Sequence, residues 1–212
     1  MPKSPESPES SGNPGNPESS ETPVRKARAD AARNREAVLA AADALFARGE
    51  SPRGVSMDQV AAAAGVGKGT LFRRFGDRDG LIRAVFDARS GAMRAAVESG
   101  PAPLGPDTPA RERVPALLDA LLGFKLDNRP LALALEEPGG TSPYRSAHYA
   151  WWHGVLRDAL AAAGGVPDPG FAAHALLAAV RADLVEHLAA VEGVTAPQLR
   201  ERLAAYVANV LG

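Results

Sequence analysis

SMDQVAAAAGVGKGTLFRRFGDRDGL, residues 56–81, reads as a helix, a glycine turn and a second short helix that carries arginines. Ser56 followed three residues later by Gln59 is a capping box, in which the two side chains satisfy backbone donors that a helix start otherwise leaves orphaned. Met57, Val60, Ala61 and Ala64 then recur at three- and four-residue spacing and form one narrow apolar stripe. Gly65 supplies the left-handed conformation that ends the helix, and Val66 can plug the turn. From Gly67 or Lys68 the chain resumes as a helix through Phe75. At about 100° per residue, Leu71 and Phe75 fall on one face and Gly69, Thr70 and Arg73 on the other, flanked by Phe72 and Arg74. One side packs and the other meets a partner. Gly69 lets the helix backbone approach closely, Thr70 offers a hydroxyl, and the arginines offer planar forks suited to phosphate oxygens or a guanine edge. Asp77 caps a further helix, with Arg78 in its first turn and within reach of a nearby phosphate. A major groove of DNA fits this face; on spacing alone, a plain surface helix pair with solvated arginines fits equally well.

Residues 33–83 resemble throughout the N-terminal domain of TetR-type transcriptional regulators, above all in the run AAAAGVGKGTLFRRFGDRDGLI. The counterpart of that run in the family is the turn, the recognition helix and the start of a long connecting helix. The resemblance implies a DNA reader in which Gly69, Thr70 and Arg73 meet base edges, while Lys68, Phe72, Arg74 and Arg78 position the DNA backbone. Family members usually carry Ser at the position of Gly67, Tyr at that of Phe72 and His at that of Arg74. A hydroxyl cap and one phosphate hydrogen bond are therefore not expected here, with the charge of Arg74 as a replacement.

The 212 residues, 45% of them hydrophobic, suffice for one or two compact domains with a real core. The absence of cysteine excludes disulfides, thiolate chemistry and cysteine-based zinc sites. The formal net charge of −1 conceals a split: residues 1–24 carry one Lys and four Glu (net −3), residues 25–80 eleven basic and seven acidic groups (+4), and residues 81–212 twelve and fourteen (−2). The basic excess sits on the helix pair. No apolar run approaches the roughly 18 to 20 residues that span a bilayer, and the first residues lack a basic start with an apolar segment, so a cytoplasmic protein without a membrane partner is expected.

Residues 1–24, rich in Pro, Ser, Glu, Gly and Asn, read as a disordered tail. The basic block Arg25, Lys26, Arg28, Arg33 and Arg35 is either a solvated helix face or an arm that reaches phosphates or an adjacent minor groove. Residues 34–47 predict a first helix through Val38, Leu39, Ala42, Leu45 and Phe46, stopped by Gly49 and Pro52. Phe46, Val55, Val60, Leu71 and Phe75 then form a small three-helix core, marginal alone and leaning on the rest of the chain. A helix over residues 78–99 carries Leu81, Ile82, Val85, Phe86, Ala92, Met93 and Val97 on its apolar side and, at 1.5 Å per residue, reaches roughly 30 Å. Further helices are expected over 109–127 (Thr108 as cap), 130–136, 143–163 (Ser142 as cap), 169–191 (Asp168 as cap) and 197–211 (a second capping box, Thr195 with Gln198), with a flexible EEPGGT connector. No stretch alternates with period two. The fold class is all-α: a three-helix helix-turn-helix DNA-binding domain over 25–80, then a helical ligand-binding and dimerisation domain over 81–212.

The last two helices carry Phe171, Leu176, Leu177, Val180, Leu184, Leu188 and Val191, then Leu199, Leu203, Tyr206, Val207 and Val210, more apolar surface than one monomer is expected to cover; it fits a four-helix bundle across a twofold axis or packing inside one monomer, and the resemblance to a family that dimerises through its final helices implies the homodimer. The aromatic and imidazole groups of the second half, Tyr144, His148, Tyr149, Trp151, Trp152 and His153, with Phe124, His174 and Arg181, are candidates for lining a small-molecule cavity, or for ordinary core. His148 and His153 stand five residues apart on different faces, so no metal site is expected, and no cofactor is implied. No HExxH, GxSxG, Walker or GxGxxG run occurs, and an enzyme is not expected. The reading is a homodimeric regulator, a repressor of a pseudo-palindromic operator on double-stranded DNA released by a small-molecule effector. A sequence-tolerant nucleoid-type binder and a helical carrier or enzyme are the alternatives.

Overall fold

A computed structural model of the protein describes residues 23–48, 51–136 and 142–212, and within these it is helical with no strand. Most of the Pro/Ser-rich tail, the Gly49 stop and all but the first residue of the EEPGGT connector lie outside the described residues. Helix α1 runs Pro23–Arg48 and so begins well before Asn34, taking in Pro23 and Val24 that the composition assigned to the tail. The intervening residues are dominated by Ala and Arg, strong helix formers, and the basic block becomes an exposed helical face.

Helix α2, Met57–Ala64, starts on the expected capping box: the Gln59 N–H donates to Ser56 Oγ at 3.2 Å and the Ser56 N–H to Gln59 Oε1 at 2.8 Å. It stops at Gly65, whose φ of 66° is left-handed, and the Val66 N–H closes back on Ala61 O at 3.0 Å. Helix α3, Lys68–Phe75, starts at Gly67 with no side-chain cap, as the missing serine implies. Helix α4, Arg78–Ser99, is capped by Asp77, whose Oδ1 accepts from the Gly80 N–H at 2.8 Å.

Beyond α4 come α5 (Ala110–Asp127), α6 (Arg129–Glu136), α7 (Ala147–Ala163), α8 (Pro169–Ala179), α9 (Ala182–Glu186), a π turn over His187–Val191, and α10 (Ala196–Leu211). Three expectations fail here. Thr108 does not cap α5; it is buried with its hydroxyl unpartnered among the described residues. Ser142 opens only a short 3-10 turn, and Ser146 caps α7 by accepting from the Tyr149 N–H at 3.1 Å. The single helix expected over 169–191 is broken at Val180 and Arg181. Glu136, from the end of α6, takes the Ala182 N–H on its Oε2 at 2.6 Å and so provides α9 with a cap from elsewhere in the chain.

Two apolar cores result. The first holds Val38, Phe46, Val55, Val60, Leu71, Leu81, Ile82, Val85 and Phe86, with Phe75 packed at its edge, and it also takes in Leu131, Ala132 and Ala134 of α6 and Ala182 of α9. The second gathers α5, α7, α8 and α10 around Leu117, Leu121, Trp152, Leu156, Leu176 and Val207. Helix α4 enters both, through Leu81–Phe86 at one end and Val97 at the other, while Ala92 faces outward rather than joining the apolar side. Among the described residues no helix is long and apolar enough to cross a membrane.

In denaturant titrations Ser56→Ala should cost about 1 kcal/mol through the lost cap. Thr108→Val, which removes a buried hydroxyl without a partner, should cost nothing or stabilise. Equal losses in the two variants would contradict this hydrogen-bond assignment.

Candidate nucleic-acid interface and interior cavity

The outward face of α3 is built as its periodicity requires. Leu71 is buried and Phe75 half-buried beneath the helix, while Lys68, Gly69, Phe72, Arg73 and Arg74 are exposed and Thr70 is half-buried. A side chain added at Gly69 would meet no atom within 4 Å, so the backbone there lies open to a partner surface. Arg73 has no hydrogen bond or ion pair among the described residues, leaving all five guanidinium donors available. Lys68 pairs with Asp58 at 2.8 Å, but both side chains are more than half exposed, a geometry that holds an ammonium weakly; its Nζ also lies 5.9 Å from the Phe72 ring centre. Arg74 reaches back to Ala31 O of α1 at 2.5 Å, and Arg78 donates to Arg53 O. These two arginines tie the face to its neighbours, each using only part of its donor fork.

On the far side of α4 lies a cavity of about 370 Å³. Of the candidates read from the sequence, His148, Trp152 and Arg181 line it, as does Tyr149. Phe124 stands behind the wall, with its ring centre 5.1 Å from that of Phe86 in an edge contact. Trp151 lies under Arg94, 4.4 Å from the guanidinium carbon, and packs edge-on against Trp152. Tyr144 is exposed, 5.1 Å edge-on to Tyr149. His174 takes part in a stack on the surface, 3.9 Å from His153, with its Nδ1 2.6 Å from the Tyr149 hydroxyl. Phe124, Tyr144, Trp151 and His174 are thus not in the lining.

Sequence reading missed Arg83, Phe86, Asp87, Lys125, Glu136 and Arg145, which do line it. The signal was present for Lys125, a cation amid Leu121, Leu122 and Leu126 in the last turns of α5. Its ammonium pairs with Glu136 Oε1 at 2.6 Å, the two side chains being only 9% and 16% exposed. His148 and Trp152, one turn apart on the same face of α7, carry a buried Nδ1 and a buried indole N–H with no hydrogen-bond partner among the described residues. Burial, with the charges of Lys125 and Arg94, pushes the His148 imidazole down to about 4, so it is neutral at physiological pH. Burial raises the Asp87 carboxyl above its usual range, opposed by Arg94, Arg83 and Arg35.

A capped helix, a left-handed glycine turn and an outward basic helix form a helix-turn-helix unit. Residues 38–85 match the family model for bacterial regulatory proteins, tetR family. The chain is 31% identical over 106 residues to the HTH-type transcriptional regulator SAR0097 of Staphylococcus aureus (strain MRSA252), an alignment covering 49% of this chain. The chain spans about half, 54%, of that relative's length. The fold is shared with a Rhodococcus sp. protein assigned to the TetR family of transcriptional regulators: 24% identity, 84% of this chain and 99% of that one, TM-score 0.60. It is shared also with a TetR-like regulator from Rhodococcus sp. RHA1, at 22% identity over 82% and 93% of the two chains, TM-score 0.52.

The depressed His148 gives a pH signature. The unfolded imidazole takes up a proton near pH 6.5 and the folded one only near 4, so stability is lost as pH falls through that window, by up to about 3 kcal/mol. Denaturation curves at pH 7 and pH 4.5 should show this loss in the natural chain and a smaller one in His148→Phe. An identical pH dependence in both would exclude His148 as its source.

Proposed function

We propose that the chain is a homodimeric, sequence-specific transcriptional regulator, a repressor that a small-molecule ligand releases from a pseudo-palindromic operator. The observation that carries the reading is α4. Its first turns, through Leu81 and Ile82, are locked into the core beneath the recognition helix, and Arg83, Phe86 and Asp87 on the same helix wall the cavity. A ligand that reshapes the cavity therefore acts on the element that sets the tilt of the reader. In this reading residues 25–80 are the reader, residues 81–212 the effector and dimerisation unit, and the protein works on cytoplasmic DNA without catalysis.

The dimer reading rests on large apolar side chains left in water by α8–α10 and the turn between them. Phe171 and Val191 are each 71% exposed, and Leu184 and Tyr206 are also exposed. We read these side chains as belonging to an interaction surface that a twofold pairing of α8 and α10 would cover. Two readers on one face of B-DNA then need half-sites about 34 to 36 Å apart, or multiples of that, and a change in α4 tilt alters the match. By linkage, operator weakens ligand binding by the factor by which ligand weakens operator binding.

On the face of α3 we assign Gly69, Thr70 and Arg73 to base edges and Lys68, Phe72, Arg74 and Arg78 to the DNA backbone. Gly69→Ala separates fold from function: alanine is the better helix former by up to about 1 kcal/mol and meets no neighbour, so stability should hold or rise while operator affinity falls. Arg73→Ala should relax specificity at one base pair by about 1 to 3 kcal/mol, and Arg78→Ala should weaken all sequences alike and flatten the salt slope by about one unit. Gel shifts over a salt series against operator and random duplex check all three variants. Unchanged operator affinity in Gly69→Ala, or exchanged arginine phenotypes, would overturn the assignment.

A further inference from the structure

The cavity also indicates what kind of molecule it takes. Its volume, about 370 Å³, is the space of about a dozen waters at ~30 Å³ each, which suits a small molecule of about that many non-hydrogen atoms. Much of the wall is apolar, through Phe86, Leu121, Leu135, Trp152 and Leu177. Its charge is lopsided: four cations, Arg83, Lys125, Arg145 and Arg181, face two carboxylates, Asp87 and Glu136.

One of the two carboxylates is already occupied. Glu136 is held by Lys125 at 2.6 Å and by the Ala182 N–H at 2.6 Å. Asp87 lies in the field of Arg94, Arg83 and Arg35, and its Oδ1 is 3.8 Å from His148 Nδ1. Among the cations, Arg181 is matched by Asp183 at 2.6 Å, but Arg145 has no ion pair among the described residues. Lys125 spends one of its three N–H donors on Glu136 and neither of the others on a group among the described residues. The Trp152 indole, on a side chain 1% exposed, keeps a buried N–H with nothing to donate to among the described residues. A buried donor left unpaired is costly, and an incoming acceptor recovers that cost. Donors and positive charge are in excess while the acceptors of Glu136 are spent, so an anion gains here, whereas an ammonium ion meets four cations with Asp87 alone as an unheld carboxylate.

We propose that the cavity binds a monoanionic amphipath, a carboxylate on an apolar body of about ten carbons, with the carboxylate drawn to Lys125, Trp152 and Arg145 and the body laid along Phe86, Leu121 and Leu177. This rests on reading the cavity as the effector site.

The sequence holds two tryptophans, and Trp152 lines the cavity with Trp151 against it, so intrinsic emission reports occupancy. The full chain is titrated with decanoate, 4-phenylbutyrate, decanol and decyltrimethylammonium, each below its micellar range. At least one carboxylate should bind roughly tenfold or more tighter than decanol, weaken as salt rises, and outbind the ammonium probe altogether. The two carboxylates distinguish a straight-chain from an aromatic body. Arg145→Gln should weaken carboxylate binding several-fold and leave decanol binding unchanged. Decanol or the ammonium ion binding as tightly as both carboxylates, or no carboxylate altering the emission at millimolar concentration, would overturn the proposal. A parallel gel shift separates it from the regulatory reading. Carboxylate that binds without releasing operator sinks ligand release and leaves the ligand class standing, whereas release by decanol alone does the reverse.

Discussion

The ion pair between Lys125 and Glu136 is the constraint that holds α6, the helix through which the two halves of the molecule are joined. Two charges this little exposed are costly to desolvate, and they persist only with close geometry and further hydrogen bonds. Both conditions hold: the contact is 2.6 Å, and the second carboxylate oxygen accepts the first free N–H of α9 at 2.6 Å. One carboxylate therefore fixes α6 to α5, caps α9 and forms cavity wall. The backbone of the same helix extends the link, since Ala134 O accepts from Arg53 at 2.7 Å and Arg53 O in turn accepts from Arg78 at the head of α4. A helix of eight residues thus touches the cavity at its last residue and the reader's inter-helix turn two residues earlier.

That placement also resolves how a reader of about fifty residues is stable. Such a unit buries little apolar area by itself. Here its core is completed by Leu131, Ala132 and Ala134 from α6 and by Ala182 from α9, so the reader is not closed without elements of the second half. Packed interiors respond to displacement by discrete repacking rather than gradual deformation. A shift of α6 therefore changes the floor of the reader and the wall of the cavity in one movement.

The reader was legible because every signal for it is local. The Ser56–Gln59 box, the left-handed Gly65, the three- and four-residue apolar spacing and the Asp77 cap each act within one turn of helix, and each is found where the residues put it. In the second half two serines compete locally for one helix start, and one break is set by a distant side chain. Thr195 and Gln198 form their box, whereas Ser142 loses the start of α7 to Ser146 and the helix expected over 169–191 breaks where Glu136, 46 residues upstream, takes the Ala182 N–H. The cavity shows the same division. His148 and Trp152 were found because aromatic residues cluster on α7, but Arg83 and Glu136 are polar groups from other helices that only tertiary packing brings to that wall, and Trp151, next in sequence to Trp152, points toward Arg94 instead.

The charge distribution carries the same lesson to binding. A chain with a net charge of −1 has no long-range attraction for a polyanion if its charge is averaged. Salt limits what a phosphate experiences to charges within about 10 Å, so the average over 212 residues is not the relevant quantity. In the proposed reading, what a duplex would meet at α3 is Arg73 without a partner among the described residues, Lys68 in an exposed pair that water already loosens, and Arg74 held by a carbonyl that leaves its charge intact. The acidic groups that balance the total lie mostly in the tail and the second half of the chain. Local excess with overall neutrality suits the proposed site-specific binder: attraction would be confined to the face that also carries the open backbone at Gly69, so that phosphate and base contacts would be made in the same orientation.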